Sequence, residues 1–105
     1  MTRVLIHPEA LLDIQDAFEF YEEESTGLGN EFVDVVYRLI GSIRVRPNTG
    51  TPANHRSSRG RVLKRFTGRF PYSVVYVLYE DFSTVEVVAV AHGKRKPSYW
   101  TERAP

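Results

Sequence analysis

The sequence predicts an α+β protein: an N-terminal strand, an antiparallel helical hairpin, then three antiparallel strands (β-αα-βββ), with the helices packed on one face of the sheet. Three observations lead there. Leu11, Ile14, Phe18 and Tyr21 recur at three- and four-residue spacing, the mark of a buried helical stripe. A second such stripe follows at Phe32, Val35, Val36, Leu39, Ile40 and Ile43. From residue 61 onward the pattern changes to short runs rich in β-branched and aromatic residues, as strands require.

Residues 3–7 read as a short strand, and Pro8 opens the first helix, where its missing N–H costs nothing. The break Ser25-Thr26-Gly27-Leu28-Gly29 separates the two helices. The second helix ends before Pro47, because the residue preceding a proline is pushed out of helical geometry. A short link between two helices makes them antiparallel neighbours. Residues 48–58 are mostly Pro, Gly, Asn, Thr and Ser, which reads as a surface loop. The three strands then fall at residues 61–66, 70–79 and 84–91, the last two joined by Glu80-Asp81-Phe82-Ser83. Phe18, Tyr21, Phe32, Val36, Leu39, Val75, Val77, Val88 and Val90 are expected to form one core between hairpin and sheet. At 105 residues the chain, 1–105, is expected to be a single domain.

Charge is distributed unevenly. Residues 1–54 carry four Lys or Arg against nine Asp or Glu, a net of −5, whereas residues 55–105 carry ten against four, a net of +6. Arg56, Arg59, Arg61, Lys64, Arg65 and Arg69 succeed one another without an acidic residue among them, and Lys94-Arg95-Lys96 follow the last strand. Such a basic half points to a polyanion or an acidic protein as partner. With no cysteine, a disulfide framework and a thiolate metal site are excluded. His7, His55 and His92 stand apart without ligand spacing, and Gly27-Leu28-Gly29 does not follow a strand, so neither a metal nor a nucleotide cofactor is expected. The apolar run Val4-Leu5-Ile6 is too short for a signal peptide and nothing approaches membrane-spanning length, so the expected location is the cytoplasm, with no membrane partner.

Three segments carry a resemblance to a known family. They are His7-Pro8-Glu9-Ala10 leading into an acidic helix with Tyr21; Arg69-Phe70-Pro71-Tyr72-Ser73-Val74-Val75-Tyr76; and Val90-Ala91-His92-Gly93-Lys94-Arg95-Lys96-Pro97 with Trp100 and Arg103. In this order they resemble the RelE/ParE superfamily of toxins from type II toxin–antitoxin modules, and the likeness covers nearly the whole chain. One branch of that superfamily, RelE-like, cleaves mRNA on the ribosome without a metal. The other, ParE-like, poisons DNA gyrase. The ribonuclease branch sets an arginine after the tyrosine of its third strand, where this chain has Ser73 after Tyr72. That branch also places a late tyrosine six residues after the arginine ending its fourth strand. Counting from Arg95, that position is Thr101, and Tyr99 lies only four residues on. Phe70-Pro71-Tyr72 and His92-Gly93-Lys94-Arg95-Lys96-Pro97 look like the ParE side.

The resemblance therefore implies a growth-inhibiting, plasmid-stabilisation type of toxin that targets DNA gyrase and is neutralised by a cognate antitoxin. The alternatives are a ribosome-dependent mRNA endonuclease and a degenerate toxin or plain RNA-binding module. Metal-free RNA cleavage needs a proton acceptor, a proton donor and cations for the charged phosphorane. Lys64, Arg65, Arg69 and Arg95 would supply the charge, and His92 or Tyr99 would move protons. For target contact of either kind, the candidates are Arg61, Lys64, Arg65, Arg69, His92, Lys94, Arg95, Lys96, Tyr99 and Trp100. Bland readings compete. His92 can end a strand half-buried, Tyr99 and Trp100 can staple the C-terminus to the sheet, and a charge run can be merely solvated. Pro97 is expected to stiffen the chain after the last cations.

Overall fold

The computed structural model describes residues 2–81, 83–96 and 98–105. Its elements run β1 (Arg3–Ile6), α1 (Pro8–Glu24), α2 (Leu28–Val45), β2 (Thr51–Arg56), β3 (Gly60–Phe66), β4 (Tyr72–Tyr79), β5 (Thr84–His92) and α3 (Ser98–Thr101), with a 3-10 turn at Pro47–Thr49. The strands form one mixed sheet in the order β1-β5-β4-β3-β2. β2 to β5 are antiparallel neighbours, whereas β1 lies parallel to β5. The expected α+β arrangement is present, with the hairpin on one face. Phe82 of the expected turn and Pro97 of the expected stiffening lie outside the described residues.

Local chemistry fixes the helices. His7 Nδ1 accepts from Glu9 N–H at 3.0 Å and caps α1, with Pro8 in its first turn. At the hairpin turn Gly27 sits at φ +91, a left-handed conformation that suits glycine. Glu22 then accepts from Gly27 N–H and Gly29 N–H, each at 3.0 Å, so a carboxylate from α1 caps α2. A Cβ on Gly29 would come within 2.6 Å of the Phe18 carbonyl, so the glycine allows the helices to approach closely.

The core has two sides, not the single one expected. Ala10, Ile14, Ala17, Phe32, Val36, Ile40 and Ile43 of the hairpin pack on Val74, Tyr76, Leu78, Val85, Val87 and Val90. Tyr21, Phe32, Phe70 and Tyr72 form an aromatic cluster at one end of it, with ring centroids such as Phe32–Tyr72 at 4.9 Å. Val75, Val77 and Val88 instead face away from the helices, where they pack with Ala53, Val62, Ala89, Ala91 and Trp100. Strand alternation explains the first two, since successive residues of β4 point to opposite faces. Val88 follows Val87 to the opposite face by the same alternation, and a bulge, where Val75 pairs with Ala89 and Tyr76 with Val87, then parts it from Val90. Phe18 and Leu39 are only half-buried, and Leu11 lies 47% exposed because Ala10 and Ala17 take the inward positions.

The expected loop at residues 48–58 is also corrected. Its middle is the edge strand β2, paired with β3. Only Ala53 of this strand is buried, so no apolar alternation announces it. Pro52 is tolerated because the strand lies at the sheet edge. Tyr76 holds the preceding turn in place: its hydroxyl donates to Pro47 O at 2.7 Å and accepts from Gly50 N–H at 3.1 Å.

Candidate functional site

β1 pairs with β5 only as far as Val87, so the continuation of β5 has no strand on that side. Side chains take the place of the missing strand. Asp13 of α1 accepts from Val90 N–H at 3.0 Å, and Arg103 donates to Val88 O at 3.0 Å. The two are themselves paired at 2.7 Å, with their side chains only 14% and 12% exposed. Tyr99 closes the group, its ring between the guanidinium of Arg95 at 4.0 Å and that of Arg103 at 4.9 Å. The Tyr99 hydroxyl lies 3.4 Å from Val90 O and 3.5 Å from Asp13 Oδ2. The C-terminal segment is thereby tied to α1 and β5 together.

Beside this group opens a cleft of about 290 Å³, lined by Asp13, Asp16, Phe20, Tyr72, His92, Arg95 and Tyr99 among others. His92 leans edge-on against Tyr72 at 5.1 Å, and its Nδ1 accepts from Lys94 N–H at 3.0 Å. With Nδ1 so engaged, Nε2 is the ring nitrogen that no described residue bonds, and it can face a partner. Burial pushes the Tyr99 phenol up to about 12, with the Asp13 charge adding to the rise. Burial also raises Tyr72, with lesser contributions from Tyr21 and Asp13. Both rings are therefore neutral near pH 7. The cleft joins an acidic wall on α1 to a cationic wall after β5, a shape suited to binding polar side chains.

The sequence candidates divide between places. His92, Arg95 and Tyr99 come together at the cleft, and Lys94 and Lys96 lie exposed in the turn beside it. Lys64 is turned to the sheet face away from the hairpin, like its paired residue Val75, and its ammonium sits 5.5 Å from the Phe66 ring. Arg65 points the other way, toward the hairpin, and donates to Ser42 Oγ of α2 at 2.8 Å. Arg69 pairs with Glu31 of α2 at 3.1 Å, an exposed bridge worth little to stability. Arg61 is exposed near the far end of β3. Trp100 is 5% exposed and stands edge-on to His55 at 5.7 Å, so it fills the second core instead of offering a face for stacking.

Asp13, Asp16 and Phe20 were not among the sequence candidates. They sit within the acidic helix, and no local pattern marks which of its carboxylates meets a guanidinium ninety residues later. Among the described residues no group of three or more His, Asp or Glu could hold a metal ion, and no helix is long and apolar enough to cross a membrane.

The family model described as "ParE toxin of type II toxin-antitoxin system, parDE" matches residues 4–97. The chain belongs to the ParE toxin family. It is thus a toxin of the toxin–antitoxin kind, and the ParE side of the sequence resemblance holds. Among solved structures the toxin is similar to one described as "Chromosomal ParDE TA system from P. aeruginosa". That match has a TM-score of 0.65 at 11% identity, covering 88% of this chain and 96% of the other. At such identity it speaks for the fold. A comparison with curated proteins finds no match by sequence.

Proposed function

We propose that this toxin arrests growth by poisoning DNA gyrase and that a cognate antitoxin neutralises it. The observation that carries the reading is the dispersal of the groups RNA cleavage would need. Lys64 and Arg65 face opposite sides of the sheet, Arg65 and Arg69 are engaged by α2, and the Tyr99 phenol is held near 12. A metal-free ribonuclease must gather its cations and its proton carriers around one phosphate. Among the described residues, only His92, Arg95 and Tyr99 of these candidates share a cleft. Such a site binds a macromolecular surface through exposed cations, and we assign target contact to Arg61, Lys64, Lys94, Arg95 and Lys96, with His92 at the cleft rim. The antitoxin is then a chain that orders on the toxin as an extended or helical wrapping segment.

The test is supercoiling by purified gyrase with added toxin, run beside induction of the toxin in cells. Inhibited supercoiling, with DNA breaks preceding any fall in translation, is the expected result. Codon-register cuts in a translated message, with gyrase unaffected, would overturn the reading.

A further inference from the structure

The hairpin of β2 and β3 contains an arrangement that folding alone does not favour. Arg56 and Arg61 are directly paired residues on neighbouring strands. Both are exposed, and neither side chain has a hydrogen bond or ion pair with any described residue. Like charges directly opposed across two strands destabilise a sheet. Arg59 lies in the turn between them, where it touches the Tyr79 hydroxyl, and residues 55–79 contain no Asp or Glu at all. Three guanidinium groups are therefore concentrated on one ribbon, with Glu80 as a neighbouring carboxylate that forms no ion pair with Arg56 or Arg61.

The backbone beside them is also irregular. Pro52 pairs with Leu63 and Arg56 with Arg61, so residues 53–55 face only Val62. This wide bulge opens a cavity of about 270 Å³ lined by His55, Arg56, Ser57 and Arg61 among others. Bulges re-aim side chains and commonly flank functional sites. Ser58, in the turn next to the pair, is exposed and its hydroxyl bonds to no described residue, whereas the Ser57 hydroxyl donates to Pro105 O and accepts from Arg59 N–H. Guanidinium forks with a neighbouring hydroxyl are the donors that hold phosphate oxygens.

We propose that the β2–β3 hairpin is a docking site for the phosphate backbone of duplex DNA, with Arg56 and Arg61 as its principal contacts. The choice of duplex DNA over RNA rests on the gyrase reading above. Exposed guanidinium groups on the edge hairpin suit the outward-facing phosphates of a duplex. The site lies on the opposite sheet edge from β1, away from the α1–β5 cleft, so it would hold the DNA while the cleft and the Lys94–Lys96 turn engage protein. The repulsion between the two arginines is relieved when a phosphate lies between them.

The experiment measures binding of the purified toxin to a fluorescent 20-bp duplex by anisotropy at 50 to 200 mM salt. Each phosphate contact contributes about 0.9 to the slope of log affinity against log salt, so Arg56→Gln with Arg61→Gln should lower the slope by about 2. The same variant should melt no lower than wild type, because a like-charge pair has gone. Arg56→Lys with Arg61→Lys should keep most of the slope. An unchanged slope in the Gln variant overturns the site, as does a lowered melting temperature, which would give the pair a structural role. Tighter binding of single-stranded RNA of equal length would overturn the assignment to duplex DNA. Binding through these arginines with gyrase unaffected would sink the gyrase reading and leave the phosphate site standing. Inhibition of gyrase without DNA binding would do the reverse.

Discussion

Replacing Asp13 by alanine removes the group that ties α1, β5 and the C-terminus together. Its carboxylate accepts from Arg103 at 2.7 and 3.4 Å and from Val90 N–H at 3.0 Å. The substitution leaves a buried backbone donor unpaired, which costs about 1–3 kcal/mol, and strips a guanidinium that is only 12% exposed of its counter-charge. Breaking a buried pair from one side costs about 3–5 kcal/mol. Two contacts soften the loss here: Val88 O still accepts from Arg103 at 3.0 Å, and Glu9 lies 4.0 Å away on the surface. About 3 kcal/mol is therefore expected, the low end of that range, which for a domain of this size lowers Tm by roughly 12–24 °C. Urea denaturation followed by circular dichroism gives the free energy, and a double-mutant cycle with Arg103→Ala isolates the pair. The coupling should be at least ~1 kcal/mol. A single-variant loss below ~0.5 kcal/mol, or additive singles, would show that the C-terminus is held by Trp100 packing instead of by this ion pair.

Other outcomes follow from the same geometry. Phe32→Ala empties the centre of the aromatic cluster and should cost about 3–5 kcal/mol, measured by the same denaturation; a smaller loss would mean that α2 repacks. The Tyr99 phenol is raised from 10 to about 12, so the folded state holds its proton where the unfolded chain releases it. Stability from this group is full below pH 10 and should decline as pH rises from 10 to 12; in urea denaturation across that range Tyr99→Phe should lessen the decline, with Tyr72 and Tyr76, also raised by burial, supplying the remainder. Lys94→Ala with Arg95→Ala should sharply reduce growth arrest at matched expression. It should cost at most about 1 kcal/mol of stability, since the Arg95–Tyr99 contact is half-exposed. Full toxicity in that double variant would remove the turn from the target surface.

Both helices, four of the five strands and the family resemblance were legible in the sequence, because each rests on local periodicity or on short motifs in fixed order. Phe32, Val36, Ile40 and Ile43 announce their buried face through spacing alone. The edge strand β2 was not legible, since an edge strand with one buried residue has no apolar alternation to read. Nor could spacing assign Val75, Val77 and Val88 to a second core: a strand apolar on both faces looks the same whether helices cover one face or something else covers the other. Only the return of the C-terminus, with Trp100 against Val75 and Val77, decides that. The basic residues divide in the same way. Their concentration in the second half belongs to the sequence, as charge is counted without a fold. Which of them are engaged, as Arg65 is by Ser42, and which remain opposed without an ion pair, as Arg56 and Arg61 do, depends on strand register. Register also brings Asp13 to Arg103, because hydrogen-bonding groups left open where β1 stops must find partners from elsewhere in the chain.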